Sequence, residues 1–100
     1  MIRHIVLFKF NPGIGWDHPE AIAAERSSQQ VGDRVPQLLQ WRTGRNISER
    51  SIAYDFVAIG LLQNEEALMD YLNHPFHRKS SELWKKISSW VIADLTETGP

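Results

Sequence analysis

The sequence predicts an α+β domain of the split βαβ type, with elements in the order β-α-β-β-α-β. Three observations predict it. The first ten residues alternate in a strand-like way, and so do two adjacent runs in the middle of the chain. Two stretches with helical spacing separate the strands in the required places. A last alternating run closes the chain after the second helical stretch.

Ile2 to Phe10 reads as the first strand. Ile2, His4, Val6, Phe8 and Phe10 share one face, and Arg3, Ile5, Leu7 and Lys9 the other. The middle of both faces is apolar, so both faces are expected to meet something. Asn11-Pro12-Gly13 ends the strand. Asp17-His18-Pro19-Glu20 predicts a helix start, with Asp17 as cap, Pro19 early in the helix and Glu20 completing a capping box. The helix is expected to end between Gln30 and Asp33. Its apolar face (Ala21, Ile22, Ala24, Val31) is thin, and Ser27-Ser28-Gln29-Gln30 is polar throughout.

Leu39 to Ser48 alternates as a second strand. Glu49-Arg50-Ser51 reads as a short turn, and Ile52 to Leu62 as the third strand, giving a hairpin. Gly60 inside that strand implies a bulge or a close approach. Asn64 caps a helix whose face carries Ala67, Leu68, Tyr71 and Leu72. His74-Pro75 interrupts it, because the residue before proline resists the helical region. A second segment follows from Pro75, with Phe76, Ser80, Leu83, Trp84 and Ile87 at helical spacing and His74 as its cap. Trp90 to Thr96 is the last strand.

Residues 1–97 are thus expected to form one domain, with 98–100 as a frayed tail. Helices on one side leave the other sheet face bare, where Ile5, Leu7, Val57 and Ile59 fall by alternation. A bare apolar face predicts an interface, most economically a homodimer with two sheets face to face across a two-fold axis. The prediction is a ferredoxin-like fold in a dimeric α+β barrel.

Composition narrows the function classes. Eleven Lys and Arg against 12 Asp and Glu give a net charge of −1 with no basic block, so no nucleic-acid partner is expected. The absence of cysteine excludes disulfides, thiolate nucleophiles and zinc–thiolate sites, and fits a reducing, cytoplasmic location. The apolar run Ile5-Val6-Leu7-Phe8 is too short for a signal peptide or a membrane span, so no membrane partner is expected. There is no phosphate-binding glycine loop and no Ser-x-x-Lys pair. Any catalysis is expected to be cofactor-free acid–base work.

Four segments carry a resemblance. They are Met1-Ile2-Arg3-His4-Ile5-Val6-Leu7-Phe8-Lys9-Phe10, Gly44-Arg45-Asn46, Ala53-Tyr54-Asp55 and Asp70-Tyr71-x-x-His74-Pro75-Phe76-His77. In this order and spacing the chain resembles the stress-responsive α/β-barrel (Dabb) domain family over nearly its whole length. The resemblance implies a ferredoxin-like homodimer with a cavity between sheet and helices in each subunit. One plant member is a polyketide cyclase that closes an aromatic ring by aldol condensation. Its first-strand histidine is matched by His4 and its Tyr–His pair by Tyr71 and His77. Its third-strand histidine falls on Phe56, which removes one polar pocket group.

The candidate site therefore centres on His77 as general base, because histidine titrates near neutral pH. Tyr71 is expected to orient it or to hold a substrate carbonyl. The plainer alternative is that His77 caps the junction and Tyr71 is core. His4, Phe56, Phe8 and Trp84 are expected to line the pocket, although a lone histidine on an apolar strand face is more often a satisfied core group. Asp70, His74 and His77 have a spacing that metal ligands also use, but the trio is common by chance, and no metal is expected. His18 is expected to be solvated. Trp41 and Trp90 are expected as core or pocket wall, and Trp16 as a lid or surface cover. Arg45 is expected to pair with Asp55 or Asp94. Two rival readings share the fold: a non-catalytic stress or stability dimer, favoured if Phe56, Phe8 and Trp84 fill the cavity, and a cofactor-independent monooxygenase.

Overall fold

The computed structural model describes residues 1–98, so most of the expected tail, Gly99 and Pro100, lies outside the described residues. The elements are β1 (Ile2–Phe10), α1 (Pro19–Arg34), β2 (Leu38–Arg45), β3 (Phe56–Leu62), α2 (Glu65–Asn73), α3 (Pro75–Lys85) and β4 (Ser88–Thr96). The four strands form one sheet in the order β2-β3-β1-β4. β1 runs antiparallel to both β3 and β4, and β2 antiparallel to β3. This is the ferredoxin-like α+β arrangement, with its second helix broken in two.

Local chemistry explains most boundaries. His74 ends α2 and begins α3: its extended backbone (φ −64°, ψ 133°) precedes Pro75, and its Nδ1 accepts from the Phe76 N–H at 3.1 Å. Asn64 caps α2 by accepting from the Ala67 N–H at 2.9 Å. At α1 the cap is His18, not Asp17, and its Nδ1 accepts from the Glu20 N–H. Pro19 takes the first helical position, so the capping residue must be the one directly before it, and the expected Asp17–Glu20 box is one residue out of step. α1 runs on to Arg34, with Val31 of its last turn and the capping Val35 both buried.

The hairpin differs most from expectation. β2 stops at Arg45 and β3 starts at Phe56, so residues 46–55 form a loop in place of the short turn. Asn46 closes on Ser48 through two hydrogen bonds, which bends the chain out of the sheet. Asp55 then re-enters it, its N–H donating to the Phe8 carbonyl and its carboxylate accepting from the Phe10 N–H. Ile47 and Ile52, read as strand residues, are exposed. β4 begins two residues earlier than expected, at Ser88. The irregularity sits on β2 between Leu38 and Gln40 and not at Gly60. Gly60 serves close approach: a Cβ there would lie 2.8 Å from Leu38 Cδ2.

The helices cover one sheet face. Between them lie two apolar groups. Val6, Phe8, Phe56, Ala58, Trp84 and Ile87 gather with Ala21 and Ala24 of α1. Val31, Val35, Leu62 and Tyr71 form the second group, and Trp41 packs against both. The opposite face carries Ile5, Leu7, Val57 and Ile59 without a helix over it. Leu7, Val91 and Leu95 are exposed there.

Candidate functional site

The site is built where β1, β4, α2 and α3 meet at the polar end of the sheet–helix interface. His4 is the second inward residue of β1. The antiparallel register sets Asp94 of β4 directly opposite it. The two form an ion pair or charge-assisted hydrogen bond between His4 Nδ1 and Asp94 Oδ1 at 2.5 Å. His4 is 2 % exposed, so the carboxylate orients an otherwise apolar-packed ring and leaves its Nε2 for other partners.

Tyr71 comes from the last full turn of α2 and is 1 % exposed. Its ring meets His4 edge-on at 5.3 Å and His77 at 4.4 Å. The helix break at His74-Pro75 makes this second contact possible, because six residues along one straight helix would point the two side chains apart. His77 Nδ1 lies 3.1 Å from the Leu72 carbonyl oxygen. A carbonyl accepts only, so Nδ1 carries the proton and Nε2 keeps a lone pair.

Their protonation follows from burial. Desolvation pushes the Tyr71 hydroxyl well above its ordinary value, and the Asp94 carboxylate adds to the shift, so Tyr71 stays a neutral donor. Desolvation holds His77 below the usual histidine value, with His4 and His74 adding to this. The Leu72 carbonyl works in the opposite direction. At neutral pH His77 is an uncharged base.

His4, Tyr71 and His77 line a single cavity of about 240 Å³, together with Phe8, Trp84 and the walls named below. Trp41, Trp90, Val6 and Ala58 make the rest largely apolar. Phe56 does not border it. Phe8 and Trp84 stack at 4.2 Å, Phe56 stacks on Trp84 at 5.0 Å, and Phe56 is thereby placed in the packed core beyond the cavity wall. Trp16 is not over the cavity either. It packs on Phe10 and Phe56, with the Arg45 guanidinium 4.1 Å above its ring. Arg45 pairs with Glu25 of α1 at 2.7 Å, not with Asp55 or Asp94. Asp55 is instead turned to the β1 backbone, and Asp94 to His4.

Among the described residues no group of three or more His, Cys, Asp or Glu side chains converges as a metal site. Asp70, His74 and His77 therefore do not combine: His74 Nδ1 is committed to a backbone N–H and His77 Nδ1 to a carbonyl.

Two contributors were not anticipated. Asp94 could have been found only by assuming the β1–β4 register, which sets it on the His4 face. Ser28 lay in the polar stretch of α1 and is 3 % exposed. Its Oγ accepts from Trp84 Nε1 at 2.7 Å, and its carbonyl from Trp41 Nε1 at 2.8 Å. One residue thus holds two indoles as cavity walls, which explains a serine on a buried helix face.

Comparison with known proteins bears on the family and the fold. The family model for the stress responsive A/B barrel domain matches residues 2–97. An uncharacterized protein of Streptomyces coelicolor is 43 % identical over 94 residues, which are 94 % of this chain and 97 % of that protein. A dimeric ferredoxin-like protein of unknown function from Thermobifida fusca superposes with a TM-score of 0.84 at 23 % identity, covering 96 % of this chain and 90 % of that one. A hydroxynitrile lyase from Passiflora edulis superposes with a TM-score of 0.78 at 12 % identity, covering 99 % and 96 %. At such identities the two structures speak for the fold alone. With the family model spanning all seven elements, this chain belongs to the stress-responsive A/B barrel (Dabb) family.

Proposed function

We propose that the chain works as a homodimer whose sheet–helix cavity binds a small apolar or aromatic carbonyl compound and moves a proton on it without a cofactor. The observation that carries this reading is the convergence of Tyr71 and His77, ring centroids 4.4 Å apart, on one apolar-walled cavity. His77 Nε2 is the base that takes a proton from the carbon beside the carbonyl. Tyr71, kept protonated by burial, donates to the carbonyl oxygen as negative charge develops there. His4, oriented by Asp94, is the second polarising group. The reaction class is cyclisation, isomerisation or another proton transfer of this kind.

The dimer rests on the uncovered sheet face with Leu7, Val91 and Leu95 exposed, and on the dimeric state named for the Thermobifida neighbour. A subunit mass doubled in sedimentation at micromolar concentration is expected. A single-subunit mass would remove the dimer from the proposal.

The chemical test is α-proton exchange of acetophenone in deuterated water, followed by NMR. Wild-type protein is expected to accelerate it, and His77→Ala to return it to the buffer rate. Exchange at the same rate in a folded His77→Ala protein would sink the base assignment, and no acceleration by wild type would sink the catalytic reading. The latter result would leave the non-catalytic dimer as the better account.

A further inference from the structure

The cavity has a second polar point that the proton-transfer chemistry does not use. α3 turns one face toward it, and His77, Ser80, Ser81 and Trp84 follow at helical spacing along that face. Ser80 is 4 % exposed. A serine inside a helix can return its hydroxyl to the carbonyl four residues earlier. Ser80 makes no such bond, and its Oγ has no hydrogen-bond partner among the described residues, although the side chain borders the cavity. The hydroxyl thus has the cavity, not the protein, to bond to, and an alanine there would favour the helix.

The Tyr71 hydroxyl likewise makes no hydrogen bond to the described residues, and Tyr71 also lines the cavity. The two hydroxyls differ in what surrounds them. Tyr71 stands with His4 and His77 at the reacting end. Ser80 lies three residues beyond His77, just under one helical turn and a rise of about 4.5 Å, on the helix that also carries the Trp84 indole held by Ser28.

We propose that Ser80 is a specificity-determining residue that hydrogen-bonds a second oxygen on the ligand. This deepens the carbonyl-pocket reading and rests on it. The ligand class becomes bifunctional: a flat apolar body with a carbonyl at the Tyr71–His77 end and a hydroxyl or second carbonyl oxygen about one helical turn away. A site built to pair a ligand oxygen discriminates against analogues that lack it, because its own polar group then stays unpaired.

The test uses three probes: acetophenone, 3-hydroxyacetophenone and 4-hydroxyacetophenone. Binding is read by quenching of the cavity tryptophans and by calorimetry. Wild type is expected to bind at least one hydroxylated probe roughly three- to tenfold more tightly than acetophenone, the worth of one neutral hydrogen bond. Ser80→Ala is expected to erase that gain, leave the acetophenone Kd unchanged and melt at the same or a higher temperature. Three results overturn the assignment: equal binding of all probes by wild type, the full gain retained in Ser80→Ala, or a clear fall in the melting temperature of Ser80→Ala, which would reveal a structural partner. Equal binding of the three probes leaves the carbonyl pocket standing, whereas no binding of any probe removes both readings together.

Discussion

β1 turns Ile2, His4, Val6, Phe8 and Phe10 to the helix side, and the His4 and Phe10 ends of that row meet opposite surroundings. At the Phe10 end the interior is filled. Phe8, Phe56 and Trp84 stack on one another, Trp16 packs over Phe10, and Arg45, tied to Glu25, covers Trp16. At the His4 end the same sheet and helices leave a cavity of about 240 Å³ edged by His4, Tyr71, His77 and Ser80. Two polar groups there, the hydroxyls of Tyr71 and Ser80, lack partners among the described residues. The filled end shows what this fold does when only stability is at stake. The other end keeps polar side chains at the edge of an open cavity, where the filled end has only packed rings.

The difference can be broken or sharpened by substitution. The largest effect is expected for Trp84→Ala. Trp84 is 1 % exposed and belongs to both ends, stacked in the filled one and walling the open one. Its loss should cost about 3–5 kcal/mol in urea unfolding. Retention of wild-type stability would mean that the aromatic stack is not what holds the filled end.

Ser28→Ala comes next, at about 1–3 kcal/mol, because it strips the acceptor from the buried Trp84 Nε1–H. The same variant should loosen the cavity wall and broaden which probes bind. No change in either readout would deny Ser28 its clamping role.

Tyr71→Phe separates the two ends most cleanly. The ring and its contacts remain, and only an unpartnered hydroxyl goes, so stability should change by less than about 1 kcal/mol. Probe binding and α-proton exchange should nevertheless fall. A loss of stability as large as that of Ser28→Ala would make Tyr71 a core residue like those at the other end.

The smallest effect is in pH dependence. His77 is held below its unfolded value near 6.5, so the unfolded chain takes up its proton first as pH falls. The stabilisation from keeping His77 neutral is therefore complete above about pH 6.5. It is lost progressively as pH falls below that toward the lowered folded value. Stability measured between pH 7 and 5 should decline less in His77→Gln than in wild type. Catalytic exchange should correspondingly reach its plateau below the ordinary histidine value. An exchange profile centred at or above 6.5 would show that His77 is not the titrating base.

Much of this molecule was legible in the chain, and the reason can be read from particular residues. The alternation of Ile2 to Phe10 gave β1 its bounds and its two faces. His74-Pro75 broke the second helix where expected, and Asn64 capped it. These are local effects of side-chain period, proline geometry and short-range hydrogen bonding. Sequence reasoning also singled out His4, Tyr71 and His77, through family segments, and the fold brings those three to one cavity. It placed Phe56 at that cavity as well, where the fold buries it behind Phe8 and Trp84. It read residues 46–55 as a turn and strand, because alternation around Ile47 and Ile52 cannot show that Asn46 folds back on Ser48.

What the sequence determined by itself was the order of elements, the two-sided character of β1 and the break that lets Tyr71 and His77 meet. Tertiary structure alone decided which polar atoms find one another. The β1–β4 register sets Asp94 against His4, the packing of α1 gives Ser28 to two tryptophans, and the packing of α3 brings Ser80 to the cavity edge. The physical reason is range. Period and capping act within a few residues, whereas the pairing of buried polar groups depends on strands and helices distant in sequence coming to rest within a hydrogen bond's length.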